Sequence, residues 1–289
     1  MFLIAVLSAL IATLSPFWGL IFILALSGKY QDRKYIFFSV FAGVVLILII
    51  ANIIDIITFF DLMIGVGLSS IIYFGNLFRT LSYLRTILAV FFLNVIYAIL
   101  RHILFGKMFL KNFTQVIEQY KEFFSSTFQD SSEQLELALE LLESFKYVFS
   151  KFYMGIWVVT IVFAIYFGSL ILSKKMMSKW NHKEIRQPFF LIYILIGSLV
   201  LFLIPNTKIF GINMMVMLAP LFLIQGISIL DFYWGNFFKK SKFLLFLLIF
   251  SMVLNYFILM LVVLMGLLDI WFNFRKIRIT EEADESNLS

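Results

Sequence analysis

The chain has 289 residues and a formal net charge of +6; 62% of its residues are hydrophobic, 14% are charged and none is cysteine. Soluble domains carry about 25% charged residues, so this composition excludes a water-soluble protein and indicates one that lies in a lipid bilayer. The lack of cysteine excludes disulfides, thiol catalysis and cysteine-ligated metals, and the basic residues form short clusters between apolar runs rather than a nucleic-acid-binding surface.

Apolar runs long enough to cross a bilayer recur along the whole chain. We predict about eight, with seven to nine consistent with the sequence: residues 2–27, 35–60, 62–78, 84–105, 148–172, 189–204, 209–232 and 243–270. Because backbone polar groups in hydrocarbon must be satisfied internally, the predicted fold is all-α, a polytopic transmembrane helical bundle. Pro16 interrupts the first run, which predicts either one kinked helix or two short halves.

The chain divides into four predicted regions. Residues 1–105 carry membrane segments one to four, residues 106–147 form an amphipathic helical insertion, and residues 148–274 carry segments five to eight. Residues 275–289 are a polar tail, whose acidic end we expect to be disordered.

The insertion has the spacing of two amphipathic helices. Apolar residues recur at helical intervals in each half: Phe109, Phe113, Val116, Ile117, Tyr120 and Phe124, then Leu135, Ala138, Leu142, Phe145 and Phe149. A break is predicted at 123–132, where Ser131 and Gln134 form a capping box for the second helix. One interpretation is a helical hairpin that rests on the membrane surface or on its own bundle; the other is a docking or lid element.

Charge predicts the orientation. Basic residues follow the odd-numbered segments, which places those loops in the cytoplasm and the insertion outside. The heavy use of Phe, Ile and Lys is typical of an AT-rich bacterial genome, so we expect the bacterial inner (cytoplasmic) membrane. Arg275, Lys276 and Arg278 follow the last segment and do not fit this orientation. Either the segment count differs by one, or the last stretch bends along the interface.

Polar side chains within the apolar runs are the candidate solute-binding residues. They are Asn94, Tyr97 and Arg101 on segment four, Gln225 and Ser228 on segment seven, and Asn255 in segment eight. Asn52 and Asp55 likewise share a face near the end of segment two. In one interpretation these groups join helices by hydrogen bonds or snorkel to water. In the other, a polar cavity forms where Asn94, Arg101, Gln225 and Asn255 converge, and Arg101 pairs there with a small anionic or amphipathic solute.

No sequence pattern indicates catalysis or a bound metal. Only two histidines exist, and there is no phosphate-binding glycine loop, no HExxH and no Gly-x-Ser-x-Gly motif. We therefore expect no catalytic residues, no metal and no cofactor, and an ATPase that powered transport would be a separate protein. Ala5 and Ala9 form a small-residue pair in segment one, a face at which we expect a transmembrane partner.

Two C-terminal stretches carry a resemblance to a known family. They are residues 222–228 (FLIQGIS) and 266–276 (GLLDIWFNFRK). Together with the Leu- and Glu-rich insertion, they make the chain resemble the YybS-like family of uncharacterised bacterial multi-pass membrane proteins, a domain of unknown function. The motif positions that this resemblance implies are Gln225, Gly226, Gly266, Asp269, Phe272 and Arg275. The family often has Asp where this chain has Asn273.

The resemblance implies a multi-pass protein whose hydropathy layout is similar to that of substrate-binding subunits of vitamin-type energy-coupling transporters. The leading hypothesis is therefore a non-enzymatic solute-binding or transport subunit. An alternative is a membrane scaffold that recruits partner proteins through the insertion. An intramembrane lipid-modifying enzyme is the least favoured hypothesis, because no nucleophile–base pair is visible.

Overall fold

The computed structural model describes residues 2–27, 34–80, 82–128, 132–176, 182–240, 247, 250–252 and 254–276. All regular elements in these ranges are helical, which confirms the predicted all-α fold. The α-helices are α1 (Phe2–Leu14), α2 (Pro16–Ser27), α3 (Lys34–Ile50), α4 (Ile56–Phe60), α5 (Ser69–Thr80), α6 (Tyr83–Thr127), α7 (Ser132–Met176), α8 (Phe190–Leu203), α9 (Lys208–Lys240) and α10 (Tyr256–Phe272). A π-helix (Asp61–Leu68) joins α4 to α5, and 3₁₀ turns occupy His182–Glu184 and Pro205–Thr207. The predicted tail beyond residue 276 lies outside the described residues.

Several helices have the length and composition of membrane spans. Four qualify among the described residues: Ile56–Gly75, Tyr83–Thr127, Glu133–Leu170 and Pro205–Gly235. Shorter apolar helices accompany them, at Phe2–Leu14, Pro16–Leu26, Tyr35–Ile50, Phe190–Leu203 and Tyr256–Phe272. The chain is thus a helical membrane protein, while the count of eight crossings stays a prediction.

The chain forms two compact units. The first comprises Met1–Ser178 and Gly197–Met217, and the second comprises Lys179–Ile196 and Leu218–Ser289. Within the first unit, α2 packs against α7, α6 packs against α5 and α7, and the π-helix contacts α2, α3 and α6. These packed faces form the core that surrounds the first polar cluster described below.

The first apolar run is two helices rather than one. Ser15 alone separates α1 from α2, and Pro16 occupies the first position of α2, where its missing N–H is not needed. Ala5 and Ala9 are fully buried, and α1 packs against α2 and α3. The prediction that these alanines meet a transmembrane partner is therefore wrong, because their small side chains let α1 approach its own neighbours and the chain covers this face itself.

The second and third predicted segments divide at a different place. α3 ends at Ile50, and the following turn holds Asn52 in a left-handed conformation with a φ of 55°. Asp55 caps α4, its carboxylate accepting a 2.8 Å hydrogen bond from the Thr58 N–H. The prediction that Asn52 and Asp55 share a face inside a membrane helix is wrong, because one forms the turn and the other begins the next helix.

α6 and α7 are each 45 residues long. At 1.5 Å per residue each measures about 68 Å, which is more than twice the roughly 30 Å hydrocarbon thickness. Both helices continue without a break through the predicted ends of the insertion. An uninterrupted helix curves only gently, so it cannot cross the membrane and then lie flat on its surface. We therefore expect the hairpin, defined here as residues 106–127 and 132–147, to project from the membrane.

The hairpin is closed by aromatic packing and ion pairs. The rings of Phe113 and Phe149 lie 4.5 Å apart between their centroids, and Ile117 is buried. Lys121 Nζ lies 2.6 Å from Glu143 Oε1 in the facing helix. The break was predicted to begin at residue 123, and this is wrong, because α6 continues to Thr127. The contacts with α7 stabilise its last turns. The predicted cap at Ser131 lies outside the described residues.

The second unit is organised around a close approach of α9 and α10. A Cβ at Gly226 would overlap the carbonyl oxygen of Val262, and a Cβ at Gly266 would overlap that of Phe222. Only glycine lets the two backbones come this close. Helix α10 begins after Asn255 rather than continuing the predicted run from residue 243.

Candidate functional site

An ion pair lies inside the first unit. Arg101 Nη2 is 2.8 Å from Asp61 Oδ2, and the two side chains are 7% and 11% exposed. Tyr97 donates a 2.6 Å hydrogen bond to the second carboxylate oxygen, Oδ1. Arg101 and Tyr97 are four residues apart on α6, so they share one face and reach the same carboxylate. Charge pairing of this kind is what makes an ionised carboxylate tolerable in a buried position.

Two aromatic rings cover the guanidinium of Arg101. Its Cζ lies 4.4 Å from the centroid of the Phe109 ring and 5.2 Å from that of the Trp157 ring. Both distances are within the range of cation–π attraction. Trp157 fits here because Gly65 faces it, and a Cβ at Gly65 would overlap the indole. The glycine therefore makes room for one wall of the site.

Asn94 connects this wall to the rest of the bundle. Its Oδ1 accepts a 3.2 Å hydrogen bond from Trp157 Nε1, and its Nδ2 donates a 2.8 Å bond to Ser69 Oγ. Asn94 is fully buried. It thus fixes the orientation of the indole that lies over Arg101, which makes it a positioning residue.

Asp61 begins a π-helix within a continuous helical stretch, whereas the predicted segments 35–60 and 62–78 place it in a loop between two helices. That prediction is wrong because the opposite charge of Arg101 keeps the carboxylate inside the bundle, so the chain has no need of a turn at this point. Short π-helical insertions are frequent at functional sites, since the wider turn shifts side chains out of the regular helical register. The π-helix Asp61–Leu68 therefore marks this cluster as a candidate site.

Arg101 uses few of its hydrogen-bond donors. Among the described residues its hydrogen-bonded acceptor is Asp61, through Nη2. Its Nε is buried without a partner. A guanidinium carries five N–H donors in a rigid plane, so most of the donors of Arg101 are not hydrogen-bonded within the described chain. This spare capacity can bind the oxygens of an anionic group.

A second polar cluster lies inside the second unit, around Arg275. The side chains of Arg275 and Asp269 are both 0% exposed, and Arg275 Nη2 lies 2.7 Å from Asp269 Oδ2. Arg275 also donates hydrogen bonds to Ser228 Oγ and to the backbone carbonyls of Lys183 and Ile185. The arginine thus ties the end of α10 to α9 and to the polar segment that precedes α8.

Gln225 extends this second cluster. Its Nε2 donates a 2.8 Å hydrogen bond to Asp269 Oδ2, and its Oε1 accepts one of 2.8 Å from the backbone N–H of Gln187. Arg186 donates a 3.2 Å bond to the carbonyl of Ile270, which adds another tie to the end of α10. The cluster therefore holds three parts of the second unit together.

The chain returns to this cluster through a left-handed residue. Asn273 ends α10 with a φ of 44°, a conformation that Asn adopts more readily than most residues. Position 273 therefore has a backbone role. The turn places Arg275 in a buried ion pair with Asp269, so its charge is not that of a solvated loop residue. Arg275 therefore does not count against the orientation that the positive-inside rule predicts.

The structure brings together most of the predicted solute-binding residues, in two groups. Asn94, Tyr97 and Arg101 share the first cluster, and Gln225 and Ser228 share the second. Asn255 instead caps α10, its side chain accepting a 3.0 Å hydrogen bond from the Phe257 N–H. The convergence of the predicted residues on one cavity stays a prediction.

The family-motif positions have three different places in the structure. The second cluster contains Gln225, Asp269 and Arg275. The helix contact beside it is formed by Gly226 and Gly266, and the last residue of α10 is the exposed Phe272.

Sequence reasoning missed Asp61 and Trp157 as members of the first cluster. A usable signal existed for Asp61, because it interrupts an apolar stretch without any flanking turn residue and Arg101 is a buried-charge candidate in the next segment. No comparable signal marks Trp157. Within the described ranges, no group of three His, Asp or Glu side chains could hold a metal ion.

The family model for a predicted membrane protein, DUF2232, matches residues 2–270, so the chain belongs to this family. This confirms the expected resemblance to a family of membrane proteins of unknown function. No curated protein and no solved structure matches the chain.

Proposed function

We propose that this DUF2232 protein is a solute-binding subunit of a transport system in the bacterial inner membrane, and that Arg101 holds the anionic group of the solute. The observation that carries the proposal is the state of Arg101: a buried guanidinium, paired with one carboxylate, stacked by two aromatic rings and left with unused donors.

The surroundings of Arg101 favour one class of solute. A carboxylate or phosphate on the solute would take the free edge of the guanidinium, where planar bidentate pairing is strong. The rings of Phe109 and Trp157 would contact an apolar or aromatic body attached to it. Asp61 opposes a second negative charge in the site, so a monoanion fits better than a polyanion.

The test compares molecules retained by the purified full-length protein and by a charge-neutral variant. The Asp61→Asn/Arg101→Gln double variant removes both charges together and therefore leaves no unpaired buried charge. Lys208→Gln is the matched control, because Lys208 also lies over an aromatic ring, 5.3 Å from the centroid of Phe202. Small molecules extracted from each protein are identified by mass spectrometry.

We expect the wild-type protein and Lys208→Gln to retain an amphipathic anion, and we expect the double variant to lose it. In parallel, benzoate and phenyl phosphate should quench Trp157 fluorescence in the wild-type protein, whereas uncharged benzyl alcohol should not. Equal retention of the same molecules by all three proteins would remove Arg101 from the proposal. No retained solute and no response to either anion would reject solute binding at this site.

A further inference from the structure

The hairpin leaves a row of large apolar side chains exposed outside the membrane. They are Val116, Tyr120, Phe123, Leu137, Leu141 and Phe145, with exposed fractions of 45%, 52%, 59%, 58%, 62% and 53%. Isolated exposed apolar residues are ordinary, but contiguous patches of this kind mark interaction sites.

In α6 the apolar and charged residues lie on opposite sides of the buried Ile117. At about 100° per residue, Val116 and Tyr120 fall to one side of Ile117, and Glu118 and Lys121 fall to the other. Phe123 continues the apolar side one turn further along the helix, and it is three residues from Tyr120.

The same division occurs in α7. Around Leu142, Leu141 and Phe145 fall to one side, and Glu143 and Lys146 fall to the other. Leu137 lies one turn before Leu141 on its side.

Ion pairs show which sides belong to the same face. Lys121 reaches Glu118 and Glu143 at 2.9 and 2.6 Å, and Lys146 reaches Glu118 at 3.3 Å. These pairs connect the two helices across one face of the hairpin. The apolar sides of α6 and α7 therefore meet on the opposite face, which we name the apolar face (Val116, Tyr120, Phe123, Leu137, Leu141 and Phe145). This face also carries polar residues that are uncharged, namely Asn112, Thr127 and Gln134.

We propose that the apolar face binds the same face of a second copy of this chain. Two copies inserted in the same orientation are related by a two-fold axis along the membrane normal, which is the direction in which the hairpin projects. Around that axis α6 of one copy lies antiparallel to α7 of the other. The result is an up-and-down four-helix bundle, a standard way to bury the apolar faces of two helical hairpins.

The apolar face is complementary to itself under this symmetry. The contact between Lys121 and Glu143 places these residues at one height on the hairpin. Tyr120 and Phe123 therefore lie at the height of Leu141, within about one turn. A two-fold axis along the hairpin preserves height, so the aromatic residues of one copy meet the leucine of the other, and no charge enters the interface.

The area is sufficient for a specific contact. Taking about 200 Å² for each large side chain, six that are about half exposed supply roughly 600 Å² per copy. The pair would bury about 1,200 Å², which is the lower end of stable, specific interfaces. The common membrane adds to this, since it holds both copies in the orientation that the contact needs.

The first test measures the mass of the full-length protein in detergent by light scattering. Wild type should be a dimer, and Tyr120→Glu/Phe123→Glu should be a monomer, because each copy would bury two carboxylates against the apolar side of α7 of the other copy, with no cation to pair them. The matched control is Thr114→Glu/Ser125→Glu, which adds the same charges on the side of Glu118, opposite the apolar face, and should stay dimeric. Circular dichroism checks that each variant keeps the wild-type helicity.

A second test uses the absence of cysteine in the chain. Two differently tagged copies, one with Phe123→Cys and the other with Leu141→Cys, are mixed in one membrane and treated with a short bismaleimide. A covalent heterodimer is expected. The control pair, Glu122→Cys with Glu140→Cys, lies on the charged face and should remain uncrosslinked.

Three results would overturn the proposal. The first is a wild-type protein that is monomeric, even if its apolar face binds a different protein. The second is a dimer that persists in Tyr120→Glu/Phe123→Glu. The third is equal cross-linking of the two cysteine pairs. None of them bears on solute binding at Arg101, which the hairpin dimer neither requires nor excludes.

Discussion

The two buried arginine–aspartate pairs have the same chemistry and different surroundings. Arg275 is completely enclosed and donates four hydrogen bonds, to Asp269, Ser228 and two backbone carbonyls. Arg101 is 7% exposed, and among the described residues it donates to Asp61, while aromatic rings take the place of further acceptors.

The difference separates a cluster that connects helices from the proposed binding site. Where the chain supplies its own acceptors, the guanidinium has little left to offer a ligand, and its main effect is to connect helices. Where rings cover the guanidinium and donors stay unused, the charge is held in place and remains available. Family-motif positions and the proposed ligand-binding position therefore need not coincide: Arg275 belongs to the motif, whereas Arg101 has the chemistry that the proposed site requires.

The largest expected effect tests the role of Arg275 in connecting the helices of the second unit. Arg275→Ala leaves Asp269 buried without a cation and removes donors from the carbonyls of Lys183 and Ile185. We expect the free energy of unfolding to fall by about 3–5 kcal/mol, measured by denaturant titration in micelles. Arg275→Lys should rescue little, because an ammonium group cannot reach the same acceptors in two directions. Full rescue by lysine would show that only the charge matters.

The helix contact beside Arg275 should be nearly as sensitive. Gly266→Ala forces a Cβ into the carbonyl of Phe222, so α10 must move away from α9 and lengthen the bond between Gln225 and Asp269. We expect a loss of about 1–3 kcal/mol. Gly197→Ala is the matched control, because nothing lies within 4 Å of its added Cβ. Similar stability of the two variants in thermal unfolding would argue against the close approach.

Neutralising each pair compares the two directly. Asp61→Asn/Arg101→Gln should stay within about 1 kcal/mol of wild type, since replacing both ions of a buried pair is often nearly neutral. Asp269→Asn/Arg275→Gln should lose more, because the shorter glutamine cannot serve the carbonyls of Lys183 and Ile185. Equal unfolding midpoints for the two double variants would show that the Arg275 cluster stabilises the fold no more than the Arg101 cluster does.

Sequence alone predicts the parts of this structure that depend on local spacing. Long apolar runs predict the helices, and intervals of three and four place Asn94, Tyr97 and Arg101 on one face of α6. The same period predicts the two amphipathic helices of the hairpin, but it does not separate the buried Ile117 from the exposed Val116 and Tyr120 beside it. What these side chains contact in other helices does not follow from it.

The missed features depend on contacts between distant residues. Asp61 stays in the bundle because Arg101, 40 positions later, compensates its charge, and no local pattern contains that fact. The turn at Asn52 was missed for the opposite reason, since a left-handed conformation left only a weak polar signal in an apolar run. The indole of Trp157 lies over Arg101 only because Gly65 and Asn94 shape and fix its place.

The smallest expected effect concerns the exposed ion pairs of the hairpin, which extend the comparison to solvated charges. A hydrogen bond from Lys121 lowers the pKa of Glu118 and of Glu143 below the ordinary value of 4.5. Carboxyls with lowered pKa stabilise the hairpin above pH 4.5, and this stabilisation disappears as the pH falls through their folded-state pKa.

The amides of residues 106–147 should therefore become better protected from hydrogen exchange as the pH rises from the lowered pKa to 4.5, after correction for the intrinsic rate. In Lys121→Gln that gain should shrink, because the partner that lowers both pKa values is gone, while 0.5 M salt should reduce it in the wild type. An unchanged profile in Lys121→Gln would show that these exposed pairs, unlike the two buried ones, contribute nothing measurable to the fold.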